Sequence, residues 1–199
     1  MKRYALRWGL AATCLGMATG FVIVQRGTAA DQKAQIQSAV LQLADKIAQK
    51  DPGVPKEANE LAARVDDLGD VMDMMKLRKQ KGVGIGPKVG GKSDDGIEAK
   101  LINLGKHAPR ERDVTADADH WAHAAYIAAA IAEIAQQRCP VKAKQGKKDP
   151  AKWAQWSKNM ETEALDWAAA CQAKSPQEIQ RAATKLDSTC NACHAAFRD

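Results

Sequence analysis

The sequence predicts an all-α chain, and three observations carry that prediction. Alanine is abundant while aromatics make up only 5% of the 199 residues, and runs of β-branched residues are few. Apolar residues recur in alternating steps of three and four, the spacing of one helix face. The stripes are interrupted at proline, glycine and capping residues. A chain of this length usually holds one domain. The expected layout is a leader over 1–30 and one helical domain over 31–199.

The leader is read from charge and apolarity. Lys2, Arg3, Arg7 and Arg26 fall in the first thirty residues, which hold no acid, and they account for most of the formal charge of +6. The remainder is nearly neutral, so nucleic-acid binding is not expected. MKRYALR is a basic segment, residues 8–24 are an apolar run, and QRGTAAD offers small residues for cleavage after Ala29 or Ala30. The run is longer than most signal cores and shorter than most membrane spans. Two expectations follow: a cleaved signal peptide with a periplasmic product, or an uncleaved anchor on the outer face of the inner membrane. Cys14 follows Thr13 and precedes more apolar residues, so it reads as signal core.

The elements follow in order. Asp31–Lys50 carries Ile36, Val40, Leu43 and Ile47 on one stripe, and DPGVP at 51–55 breaks it. Leu61, Val65, Leu68, Met72 and Met75 make a second stripe that ends near Arg78. Residues 81–114 are rich in glycine and lysine and read as a long connection with one helical turn inside; such connections are often functional or mobile. A third helix is expected from Thr115, as N-cap, to Arg138. Asp149-Pro150 opens a helix with Trp153, Trp156, Met160, Ala164, Trp167 and Cys171 on one stripe. Ser175-Pro176-Gln177-Glu178 reads as a capping box opening the last helix, whose apolar face holds Ile179, Leu186, Cys190, Cys193 and Phe197.

The chemistry sits in Cys190-Asn191-Ala192-Cys193-His194, a CxxCH motif. Residues three apart share a helix face, so both thiols point to one side and can bond the two vinyl-derived carbons of a haem. His194 follows at once, and an axial histidine is a standard way for protein to hold haem iron. A zinc site would want a second ligand pair close in sequence, and none exists. A thioredoxin-like CxxC would want a βαβ setting, which a helical chain does not offer. The expected cofactor is one haem c per chain, attached at Cys190 and Cys193.

The ending CNACHAAFRD resembles class II cytochromes c, the cytochrome c prime group, in which CxxCH lies near the C-terminus before an aromatic and a basic residue. The resemblance covers residues 115–199. It implies an antiparallel four-helix bundle holding one haem near one end, with Cys190 and Cys193 as attachment sites and His194 as the proximal ligand. The chain departs from the family before residue 115, with an extra N-terminal helix and the 81–114 insertion. It also lacks the RxxxM pattern of some relatives, since Leu68 stands four before Met72.

In such a bundle Trp153 and Trp156 begin their helix beside the haem end and are candidates for haem packing, whereas Trp167 reads as core. Met72 is the candidate sixth ligand because it lies on the second apolar stripe, and Met74 falls off it. Methionine on such a stripe is more often core filler. A bundle helix starting at 55 would also place Met72 about 25 Å from the haem end, unless the extra helix and insertion reverse its direction.

Other signals read as ordinary structure. Gly86–Ser93 fits GxxxxGK[ST], but no strand precedes it and Asp94 and Asp95 oppose phosphate. His120 and His123 beside Asp117 and Asp119 read as a helix first turn rather than a metal site. Cys139 and Cys171 lie at opposite ends of antiparallel helices, about 33 Å apart, so both are expected unbridged, Cys171 as a buried small hydrophobe.

The leading expectation is electron transfer, with a five-coordinate haem binding NO or CO as the rival. No paired acids or nucleophile triad marks an enzyme; a peroxidase is a weaker third reading. Lys142, Lys144, Lys147, Lys148 and Lys152 lie near the expected haem edge and suit an acidic redox partner protein. A membrane contact is expected only with an uncleaved leader, and a homodimer is compatible with the sequence.

Overall fold

Seven α-helices and two 3-10 turns make up the computed structural model, which describes residues 29–87 and 95–198. Among them the only strand-like feature is an isolated bridge between Gln145 and Lys148. The chain is all-α, as its sequence predicts. The leader lies outside the described residues, except for its last two. No described helix is long and apolar enough to cross a membrane.

Helix α1 (Ala29–Ala48) packs on α5 and α2. Of its stripe Ile36, Val40 and Leu43 are buried, the last two fully enclosed, and Ile47 is partly buried; each fully enclosed side chain contributes roughly 1.5–3 kcal/mol by leaving water. Asp51 accepts a hydrogen bond from the Gly53 N–H at 2.7 Å in the turn that follows. Pro55 then starts α2 (Val54–Arg64).

The second stripe does not lie on one helix. Helix α2 stops before Val65, and Asp67 starts α3 (Leu68–Met72) by accepting from the Gly69 N–H at 2.8 Å. A carboxylate that caps a new helix competes with continuation of the old one. Single 3-10 turns follow at Asp73–Met75 and Arg78–Gln80. The break rotates the later residues, so Met74, expected off the stripe, is fully buried while Met72 is only partly so.

The 81–114 stretch holds more structure than one helical turn. Helix α4 (Ile97–Lys106) buries Ile97, Leu101 and Leu104 and packs on α7. The glycines before it serve close approach. A Cβ on Gly82 would stand 1.8 Å from the Lys76 carbonyl oxygen, and Gly86, at φ +62°, rests against the His120 ring. Of the Gly86–Ser93 pattern, the part from Lys88 onward lies outside the described residues.

Helix α5 (Glu111–Gln137) begins four residues earlier than expected. Thr115 is inside it, its hydroxyl bonding the Glu111 carbonyl at 2.9 Å. The middle of α5 is buried nearly all round, with Ala124, Ala125, Ala128, Ala129, Ala130 and Ala132 letting neighbours approach closely. Helix α6 (Pro150–Gln172) is capped by Asp149, which accepts from the Ala151 N–H at 2.9 Å. Trp167 and Cys171 are fully buried on it. Helix α7 (Pro176–Phe197) starts after Ser175, whose side chain makes no capping hydrogen bond, so the expected capping box does not form; Pro176 in the first turn stands in for it. Helix α6 packs between α5 and α7, α1 covers α5, and α4 covers α7.

Candidate functional site

Helix α7 runs unbroken to Phe197, so Cys190 and Cys193 share one face and His194 follows one residue on. These three residues line a cavity of about 430 Å³, a usual size for a small-molecule site. Ala135 closes it from the end of α5, and Trp153, Trp156 and Met160 from the first turns of α6. Leu68, Met72 and Met75 close it from α3 and the 3-10 turn after it. Leu101 and Glu98 reach it from α4.

The break at Val65–Asp67 explains how Met72 arrives there. A continuous second helix would carry it away from this end; instead the chain turns and lays α3 along the cavity. Trp153 and Trp156 are also cavity residues. Both meet Phe197 edge-on, with ring centroids 4.9 and 6.1 Å away. Trp153 is held further by its indole N–H, which donates to the Ala135 carbonyl at 2.7 Å.

Burial sets the electrostatics. It pushes the Cys190 thiol up to about 12 and the Cys193 thiol up to about 11. The His194 imidazole is held below its ordinary value, first by burial and then by Arg198, while Glu98 acts in the opposite sense. A neutral imidazole keeps a lone pair for a metal. Beside them Thr189 donates to the Glu163 carboxylate, whose pKa burial raises.

A haem fits this donor set. Two half-buried thiols at attachment spacing, an imidazole and a thioether border one largely apolar cavity. Among the described residues no group of three or more His, Cys, Asp and Glu side chains could hold a metal ion by itself. His120 rests on Gly86 and His123 faces Asp45 at 3.4 Å, both away from the cavity. Cys139 and Cys171 are free thiols, Cys171 fully buried.

Sequence reasoning missed Met75, Leu101 and Glu98. Ile97, Leu101 and Leu104 do keep helical spacing, a signal that the glycines around them obscure. Comparison with known proteins finds no matching protein-family model, no similar curated protein and no similar solved structure.

Proposed function

We propose that this chain is an exported monohaem c-type cytochrome that transfers electrons, with a fold of the class II cytochrome c kind. In this reading α5, α6 and α7 are three members of an antiparallel four-helix bundle, and the segments covering α5 and α7 complete it. The observation that carries the proposal is one cavity bordered by CxxCH on one element and a methionine on another.

Cys190 and Cys193 would hold the haem through two thioether bonds, and His194 and Met72 are the residues that would bind its iron. The haem supplies an iron that accepts and releases one electron. Trp153, Trp156 and Phe197 keep water from the site, and a methionine sulfur favours a low-spin iron with a higher potential. No enzymatic step is proposed.

Lys142, Lys144, Lys147 and Lys152 are exposed on or beside the α5–α6 loop, next to the cavity residues Pro140 and Trp153. They form the side on which an acidic redox partner docks, and electron exchange with such a partner should slow as ionic strength rises. An exchange rate indifferent to salt would remove this partner class.

The central test is mass and spectrum. Periplasmic protein should carry one haem that survives denaturation and acid–acetone extraction, and the Cys190→Ala, Cys193→Ala double variant should lose it. The oxidised protein should be low-spin with a sulfur-to-iron band that vanishes in Met72→Ala. A mass equal to apoprotein rejects the haem reading. A high-spin wild type that takes up nitric oxide or carbon monoxide readily replaces electron transfer with gas binding. N-terminal sequencing separates a product cleaved near Ala29–Asp31 from a membrane-anchored one.

A further inference from the structure

The wall of the cavity that carries Met72 is a strap with little strength of its own. Helix α3 has five residues, too few to hold a helical turn in place without outside contacts. Its position is therefore set by anchors at both ends. On the N-terminal side Asp67 caps α3, the Arg138 guanidinium donates to the Asp66 carbonyl at 2.9 Å, and Lys33 of α1 meets Asp70 at 2.8 Å.

The C-terminal anchor is denser. Arg78 Nε donates to Asp95 Oδ2 at 2.8 Å and its Nη2 to Asp95 Oδ1 at 3.3 Å, a two-point pairing. The same Nη2 donates to the Gly86 carbonyl at 2.9 Å. Asp95 Oδ1 accepts from the Ile85 N–H at 3.0 Å, and its backbone carbonyl accepts from the Arg78 N–H at 2.8 Å. The Arg78 and Asp95 side chains are only 26% and 18% exposed, against 84% and 64% for the surface pair Lys56–Glu60.

Backbone packing tightens the same point. A Cβ on Gly96 would come within 2.8 Å of Leu77 Cα, and Gly82 leaves no more room at Lys76. Val83 N–H donates to the Met74 carbonyl at 3.1 Å. The clamp thus joins the residues just after Met75 to Asp95 and Gly96, just before α4, the helix that brings Leu101 to the cavity.

We propose that Arg78 and Asp95 are positioning residues for Met72: the clamp holds the strap so that its sulfur occupies the sixth iron position and keeps small ligands out. This rests on the reading of the chain as a haem protein with Met72 as ligand. A clamp that served folding alone would change the melting temperature and leave ligation in the folded protein untouched.

The experiment uses haem-loaded full-length protein and reads mass, the sulfur-to-iron band, helical circular dichroism and the rate of carbon monoxide binding to the reduced form. The wild type must first show covalent haem and the band; absence of either rejects the functional reading itself. With both present, Arg78→Ala and Asp95→Asn should lose the band and bind carbon monoxide about tenfold faster or more, approaching Met72→Ala, with helical signal retained. Arg78→Lys keeps the charge without the two-point pairing and should fall between. It carries the test if Arg78→Ala does not fold. The double variant should go no further than either single one. Haem-loaded variants that keep the band, with carbon monoxide rates within about twofold of wild type, overturn the proposal. So does a band that fades only in step with the helical signal.

Discussion

The indole N–H of Trp153 donates to the carbonyl of Ala135 at 2.7 Å, joining the first turn of α6 to the last turn of α5 out of contact with water. The carbonyl is one of the last four of α5, which the regular ladder of the helix leaves to other donors. It also accepts from the Arg138 N–H at 3.1 Å, so it keeps one partner when the indole is removed.

That second partner sets the size of a first prediction. Trp153→Phe keeps an aromatic ring against Phe197 and loses only the N–H, so it should cost about 1 kcal/mol in denaturant unfolding. Trp153→Ala empties the ring's place and should cost about 3–5 kcal/mol. Equal losses for the two variants would mean that the hydrogen bond, not ring packing, holds the corner.

Glu133 gives a pH prediction. Its carboxyl is raised above the ordinary value of 4.5, first by burial and then by the neighbouring Glu161 charge and hydrogen bond, with Lys158 opposing. Glu161 itself accepts from Gln136 at 2.8 Å and pairs with Lys158 at 2.7 Å. A raised folded-state pKa means that the fold favours the protonated acid. Stability from this group is therefore full below 4.5 and is lost as pH rises through the higher folded value. Glu133→Gln should unfold at higher denaturant than wild type near neutral pH, with the gap closing below 4.5. A gap that does not change with pH would show that Glu133 titrates as an ordinary surface acid.

Among the described residues, the two cysteines outside the motif should differ sharply in reactivity. Cys139 is half-buried beside the Val141 carbonyl, whereas Cys171 is fully buried and its thiol is pushed up to about 12. Thiolate is the reactive form. Alkylation of the folded protein at mildly alkaline pH, mapped by peptide mass, should label Cys139 on the order of a hundredfold faster than Cys171. Similar rates would contradict the burial of Cys171.

The parts legible in the sequence share a local cause. The spacing of Cys190 and Cys193 places both on one helix face, and Asp149-Pro150 marks a helix start through one cap and one ring. Val40, Leu43 and Trp167 are buried where periodicity puts them. The misreadings arise where a competing cap or a contact distant in sequence decides. The second stripe looks continuous because Asp67 competes for the backbone without disturbing apolar spacing. Thr115 looks like a cap, yet Glu111 already begins the helix. The glycines of 82–86 suggest slack; their use is visible only against Lys76, Arg78 and His120. Met72 enters the cavity through the same break that hid the course of α3.

The cavity draws its walls from three stretches of chain, the α3 region, α4 and α5–α7, and this divides the cost of building it. Helices α5, α6 and α7 are neighbours in sequence as well as in space, so their pairing closes short loops and has low contact order. The strap bearing Met72 must return over the intervening chain to meet α7, a closure of far greater span. Cys190 and Cys193 therefore belong to the part of the molecule that can assemble by local search, and Met72 to the part that docks onto it. On connectivity alone, the helix face that presents two thiols should order before the strap that covers them.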